Sequence, residues 1–484
     1  MDDWRVNPGL TLSFGIRYEN QTNIKDKLNF APRFSFAWSP GAGGAKAPKT
    51  VFRGGVGVFY DRFSENLVLN AQRFNGTNQL NYVLSVNDPD PVRQAAAIAL
   101  LSQAHFTVDG VTNIPTIDQI AAAFPAASTV RTIASDLRVP VTTQIALGVE
   151  HQLAPRTTLT AYYIGSRTNF ALRARNINAP ICPDQIDCEG APRPDPTLGN
   201  IFQYESSGVV NQNRLITSIR ANLTPRISIN ANYSLGFSNS DADGSGSFPA
   251  YSYDLTGEYG RSSGDIRHNF FLFGNIGMPW GVSLNPFIIA NSGRPFNITR
   301  GLDLNGDSLF TERPTFGELG ERCSELGLTA SYCNVAGKDP NAIIPRNFGQ
   351  SPGSFTLNLR VGKNFGFGKS PDNAATAGQQ QGGGRGGRGG GGIPGGGRGG
   401  RGGGRGGFGG RGGFFGGSDV RKPYNLNVSI NFSNLLNNVN FGSPVGNLAS
   451  SRFGQSVSTG SFGGFGGGGG AANRRIDLQL RFSW

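Results

Sequence analysis

Side chains in this sequence change character at every second position, over runs long enough to cross a membrane. At the C-terminus Ile476, Leu478, Leu480, Phe482 and Trp484 alternate with Arg475, Asp477, Gln479, Arg481 and Ser483. A β-strand turns successive residues to opposite sides, so this run has one apolar and one polar face. A soluble sheet seldom needs so complete a division, whereas a wall between lipid and water requires it. Leu10, Leu12, Phe14, Ile16 and Tyr18 repeat the pattern against Thr11, Ser13, Gly15, Arg17 and Glu19. It returns at Ile227–Ser238 and at Tyr424–Phe432, where Asn and Ser fill the polar positions.

The pattern predicts twelve strands, near residues 9–19, 29–38, 50–60, 141–153, 157–169, 212–223, 226–238, 265–277, 281–293, 354–367, 423–435 and 474–484. Composition agrees: 73 Gly and 34 Phe with only two Met suit walls packed by aromatics and small residues better than a soluble core. No stretch approaches the ~18 consecutive apolar residues of a membrane helix. A membrane-spanning chain of this kind must then satisfy its backbone as a closed barrel. The fold class is all-β, a transmembrane antiparallel β-barrel.

Bacterial barrels end in the periplasm and keep their periplasmic turns short. Counting back from Trp484, even-numbered strands run inward. Periplasmic turns then fall at 39–49, 154–156, 224–225, 278–280 and 368–422, and outside loops at 20–28, 61–140, 170–211, 239–264, 294–353 and 436–473. Except for 368–422, the inner set is short and rich in Pro or Gly. Loop 61–140 contains two Ala-rich segments, Pro91 to Ala104 and Thr116 to Phe124, that read as amphipathic helices.

Several segments, in order along the chain, resemble the TonB-dependent receptors, specifically the Oar-like group. They are Asp2-Asp3-Trp4-Arg5-Val6-Asn7-Pro8, Asn29-Phe30-Ala31-Pro32-Arg33, Arg53-Gly54-Gly55 through Phe63, and Asp265-Ile266-Arg267-His268-Asn269-Phe270. Ser292-Gly293-Arg294-Pro295-Phe296-Asn297-Ile298-Thr299 and Asn434-Leu435-Leu436-Asn437 complete the set. The resemblance implies a 22-stranded barrel holding an N-terminal plug, which an energising TonB-type protein moves from the periplasm. Residues 1–484 would then be a partial barrel of about twelve strands, lacking plug, signal peptide and about ten strands, and expected to be part of a longer chain. The implied function is energised uptake of an unidentified extracellular ligand. A passive outer-membrane channel and a surface adhesion or structural barrel are the alternatives. The implied location is the outer membrane of a Gram-negative cell, with lipid and the barrel assembly machinery as partners.

The formal charge of +12 raises nucleic acid as a partner. Six arginines (Arg385, Arg388, Arg398, Arg401, Arg405, Arg411) stand among 25 Gly in the tract 382–417, and their number equals half of that charge. The tract lies within a low-complexity insertion, 371–420, between two barrel strands on the periplasmic side, so nucleic acid is not expected as a partner. No catalytic constellation stands out: His105, His151 and His268 are far apart, and no Ser or Cys sits in a nucleophile motif. Gly366–Ser370 imitates the end of a phosphate loop but lacks its first glycine and its helix. The chain is not expected to be an enzyme.

Three smaller features point to sites. The close pairs Cys182/Cys188 and Cys323/Cys333 fall in outside loops and suggest two disulfides, against the alternatives of free thiols or zinc. Asp303, Asn305 and Asp307 place oxygens at i, i+2 and i+4, the opening of a calcium loop. Ser308 stands where that pattern needs Gly, Pro314 stands at its last position, and Glu312 or Asp339 could complete the shell. Phe482 and Trp484 fit a membrane-assembly signal read by strand addition. Arg17, Glu19, Gln144, Glu150, Arg220, Asn230, Arg360 and Arg481 fall on the lumen side of their strands.

Overall fold

The computed structural model describes residues 2–44, 47–79, 84, 86, 91–103, 106–108, 111–113, 115–123, 129–182, 191–196, 198–368, 424–460 and 473–483. The expectations for the insertion 371–420, Cys188 and Trp484 lie outside the described residues. Thirteen strands form one antiparallel wall in sequence order. They are β1 Asp2–Asn7, β2 Leu10–Glu19, β3 Asn29–Trp38, β4 Thr50–Tyr60, β5 Val141–Ala154, β6 Thr157–Asn176 and β7 Ile201–Thr224. Then follow β8 Ile227–Ser240, β9 His268–Gly277, β10 Val282–Asn291, β11 Ser354–Phe367, β12 Tyr424–Ser433 and β13 Arg475–Ser483. No helix among the described residues is long and apolar enough to cross a membrane.

The register puts like with like across the wall. Phe14 faces Phe34 and Tyr18 faces Phe30 between β2 and β3; Val428 faces Leu480 and Ile430 faces Leu478 between β12 and β13. Between these, Ser429 faces Gln479 and Asn431 faces Asp477. The apolar set points outward: Ile16, Leu147, Leu478 and Leu480 are exposed in the protein alone. Bare apolar area of this extent is stable only against lipid. Aromatics crowd the short-turn rim, with Trp38 stacked on Phe52 at 5.5 Å and Tyr424 on Phe482 at 6.2 Å. Rings at that level suit the headgroup region. Inside, the Tyr162 ring lies over Gly148 so closely that a Cβ there would sit 2.0 Å from it, leaving room for glycine alone.

The structure departs from the twelve-strand reading in instructive places. It adds β1, whose acidic start hides the alternation of Trp4 and Val6, and turns it at Pro8 and Gly9 with Gly9 N donating to Asn7 Oδ1 at 2.8 Å. β6 and β7 run to Asn176 and from Ile201, well past the expected 169 and 212. At 20 and 24 residues they exceed the roughly 9–11 needed to span the hydrocarbon. Phe170 at φ 59° and slips in register from Glu205 to Val209 mark where this hairpin leaves the apolar band. Beyond that point Arg173, Ala174, Asn176, Tyr204 and Glu205 are all buried by protein, and the two-residue period disappears. Strand β9 starts at His268, later than expected, because Asp265 to Arg267 form a corner.

At one end the connections are 8–9, 39–49, 155–156, 225–226 and 278–281; at the other they are 20–28, 61–140, 177–200, 241–267, 292–353 and 434–474. The dry core sits over this second end. Ile298, Phe316, Leu319, Cys323, Tyr332, Ile344 and Phe453 form one buried cluster, and Ile24, Phe63, Leu137 and Val139 another. Loop 61–140 carries α1 Glu65–Arg73, α2 Pro91–Leu101 and α3 Ile117–Ala123, the first of which the sequence reading lacked. α3 starts on reciprocal bonds between Thr116 and Gln119. Loop 292–353 carries α4 Phe316–Glu325, also not foreseen, with a full capping box between Thr315 and Glu318. Among the described residues β1 pairs only with β2 and β13 only with β12.

Leu147→Arg, at mid-strand on the outer face, is expected to lower stability in bilayers by about 2–4 kcal/mol. Gln144→Arg, on the inner face of the same strand, is expected to cost less than about 1 kcal/mol. Equilibrium unfolding in lipid vesicles checks both, and equal losses would contradict the assignment of faces.

Candidate functional site

The inner face carries the polar side chains of the wall, interrupted by an apolar patch of Phe271, Phe273, Phe287 and Ile289. Arg17 Nε pairs with Glu19 at 3.1 Å, Arg360 Nη2 donates to Ser429 Oγ at 3.2 Å, and Asn232 Nδ2 donates to Ser218 Oγ at 2.7 Å. Arg220 stands opposite Asn230, Gln144 opposite Gly57 and Ser166, Glu150 opposite Val51 and Thr160, and Arg481 opposite Asn427. These groups can hold water or a polar solute. The two strand histidines keep to the outer face instead: His151 Nδ1 meets Thr50 Oγ1 at 2.8 Å, and His268 Nδ1 meets the Tyr233 hydroxyl at 2.8 Å.

Above the wall, buried arginine–carboxylate pairs tie the loops into one vault. Arg173 meets Asp241 at 2.9 Å, Arg175 meets Glu205 at 2.9 Å, Arg313 meets Glu258 at 2.9 Å, and Arg346 meets Asp243 at 2.7 Å. Asp265 is the corner piece. Its carboxylate accepts from Ser238 N at 3.0 Å, Arg261 Nε at 2.8 Å and Arg267 Nε at 3.0 Å. Arg267 in turn lies 4.3 Å from the Phe237 ring centre. The segment Asp265–Phe270 is therefore a structural joint where loop meets wall. None of these pairs was legible beforehand, because partners lie from two to 103 positions apart without a local motif.

Loop 292–353 draws Asp303, Asn305 and Asp307 into one dry pocket and adds Glu312; all four side chains are buried. Ligand oxygens of Asp303, Asp307 and Glu312 lie within 4.8 Å of one another. The chain wraps tightly round Asp303, whose oxygens accept from Asp307 N at 3.1 Å and Ser308 N at 2.9 Å. Glu312 Oε1 accepts from Leu304 N at 3.1 Å. Ser308 adopts φ 63°, the left-handed turn that a glycine would take at that position. Asp339, the other residue considered for the shell, is exposed and lies outside this cluster. Burial, with repulsion from Asp303 and Glu312, pushes the Asp307 carboxyl well above its ordinary range. Burial likewise raises Glu312 to about 7.

Cys323 and Cys333 are joined, closing α4 onto the following turn, and both belong to the large loop core or pack against it. Cys182 is buried and disulfide-bonded, and its amide donates to the Tyr251 hydroxyl at 3.1 Å. Phe482 stands exposed on the outer face of β13.

A family model described as "Outer membrane beta barrel domain" matches residues 20–372. No curated protein matches the chain. Among solved structures it is similar to the outer membrane transporter YddB from Escherichia coli at 11% identity and TM-score 0.48, over 98% of this chain and 43% of that one. It is similar to the FrpB iron transporter (F3-3 variant) from Neisseria meningitidis at 8% and 0.41, over 99% and 43%. Against the siderophore receptor PirA from Pseudomonas aeruginosa the values are 9% and 0.36, over 90% and 44%. The chain thus spans less than half the length of each of these structures. With the family model covering most of it, the chain belongs to the outer-membrane β-barrel domain family, and its place is the outer membrane.

Asp265→Ala is expected to cost about 1–3 kcal/mol by removing the acceptor shared by the Ser238 amide, Arg261 and Arg267; a loss under about 0.5 kcal/mol in equilibrium unfolding would contradict this role. In cation-free buffer the folded loop holds protons on Glu312 and Asp307 that the unfolded loop releases. Its stability is then expected to fall as pH rises from about 4.5 to 7, the interval between the ordinary and raised values for Glu312. Near-ultraviolet circular dichroism melts across that interval, compared with Glu312→Gln, check this; the variant should show a shallower slope.

Proposed function

We propose that this member of the outer-membrane β-barrel family is the wall and loop vault of a receptor that takes up an extracellular ligand by TonB-dependent, energised transport. The observation that carries the reading is the pair of open edges. In lipid every backbone donor and acceptor needs a partner, yet β1 and β13 each use one side only among the described residues. Completing the wall with strands beyond these two gives a barrel wider than thirteen strands. Barrels of about 22 strands have a lumen that a plug must fill. Plugged barrels need an energy source to pass a ligand, and a TonB-type periplasmic protein acting on a plug outside this chain is that source. The ordered sequence segments of the Oar-like receptors support the same reading, and the polar inner face would carry the solute.

A passive channel, the second reading, is favoured if β1 and β13 instead join each other; a surface adhesin would use the vault alone. Cells expressing the protein from its own locus can be given a panel of labelled peptides, oligosaccharides and metal chelates. Accumulation of at least one compound that stops when an uncoupler dissipates the proton motive force is the expected result. Accumulation that survives the uncoupler supports the passive channel, and surface binding without accumulation supports the adhesin.

A further inference from the structure

We propose that Asp303, Asp307 and Glu312, assisted by Asn305, bind a calcium ion that locks the extracellular loops into one vault. The inference is independent of what the receptor transports. Acidic clusters are common without metals, but this one is sealed and left incomplete. Asp307 Oδ2 and Glu312 Oε2 have no hydrogen-bond partner, although Asp307 is 0% and Glu312 4% exposed. Each of these residues uses its other oxygen on backbone amides: Asp307 Oδ1 accepts from Leu309 N at 2.8 Å, and Glu312 Oε1 from Leu304 N. A buried carboxyl oxygen without a partner has lost its water and gained nothing in exchange, and a bound cation supplies the missing interaction. One carboxylate oxygen from each of Asp303, Asp307 and Glu312 lies within 4.8 Å of the other two, so the three carboxyl groups converge.

Arg193 lies close enough to feel the charge of Asp307 and Asp303, but it spends its hydrogen bonds elsewhere, donating to the carbonyls of Gly306 at 2.6 Å and Asn178 at 2.6 Å and to Asn200 Oδ1 at 2.9 Å. Oxygen is the donor that the three carboxylates and the Asn305 amide carbonyl offer, which selects a hard cation. The irregular, loop-borne set of carboxylates suits the flexible shell of calcium better than the strict octahedron of magnesium.

The position explains what the ion would do. Arg193 brings loop 177–200 to Gly306, and Thr311 Oγ1 donates to Pro249 O of loop 241–267 at 3.0 Å. Arg313, next to Glu312, pairs with Glu258 of that same loop at 2.9 Å, and Arg300 N donates to Glu312 O at 2.8 Å. Three loops therefore meet on the ten residues that would wrap the ion, from Asp303 to Glu312. Filling the pocket ties all three together at one point.

The test uses the full chain purified in detergent free of lipopolysaccharide, stripped with EGTA and titrated with calcium chloride in a calorimeter. One saturable equivalent is expected, with a Kd on the order of 10⁻⁴ to 10⁻³ M or tighter. Asp307→Asn and Glu312→Gln should each weaken it roughly tenfold or more, whereas Asp339→Asn should leave it unchanged. No saturable binding, full binding in both variants, or equal binding of magnesium at the same concentration would overturn the proposal. Should the variants fail to fold, the wild-type protein decides. Protease cleavage within 299–313 and 191–200 must be slower in calcium than in EGTA, and identical cleavage in both would refute the site.

Discussion

Backbone hydrogen bonds that lipid cannot supply set the terms for everything else in this molecule. Each unpaired amide or carbonyl in hydrocarbon costs several kcal/mol, so the chain must run as strands that bond to neighbours on both sides. Once it does, geometry leaves each side chain one of two faces. Phe14, Phe34, Leu478 and Leu480 take the lipid side, and Ser429, Gln479, Asn431 and Asp477 take the water side. The register then cannot slip by a single residue without exchanging the two faces along a whole strand. The wall is thus specified by alternation more than by packing, and its interior is polar apart from the patch round Phe271 and Phe273.

The loops obey the opposite rule. Where β6 and β7 climb out of the membrane, both faces meet protein and the folding problem becomes that of a soluble domain. It is solved with an apolar cluster round Leu319, Ile298 and Phe453 and with arginine pairs drawn from distant segments. Buried pairs of this kind contribute little net stability, but breaking one is costly, so they fix one arrangement of the loops. Asp265 shows how the halves join: its carboxylate collects a strand amide and two arginines at the point where loop 241–267 enters the wall. The vault over the mouth is consequently a built structure.

Legibility in the sequence follows the same division. The strands could be read because a two-residue period is local and lipid enforces it over ten positions at a time. β1 escaped because Asp2 and Asp3 interrupt the pattern in a strand of six residues. The capping box at Thr315 and Glu318 was a readable signal for α4 that the strand pattern overshadowed. The clustering of Asp303, Asn305 and Asp307 was visible through their spacing, yet which of Glu312 and Asp339 would join them was not. That choice depends on how the loop folds back over Leu304. The arginine–carboxylate pairs were unreadable in principle, since a guanidinium can find its partner only after the hairpins have formed.

The placement of the wall in lipid is the claim on which the rest stands, and the last strand tests it most directly. Spin labels placed one at a time from 475 to 483, in protein reconstituted into bilayers, report access to oxygen dissolved in lipid and to a water-soluble nickel chelate. With β13 in the wall, the labels at 476, 478, 480 and 482 favour oxygen and those at 477, 479 and 481 favour the chelate. Uniform access to the chelate along the strand, or an oscillation with the helical period of about 3.6 residues, would contradict it.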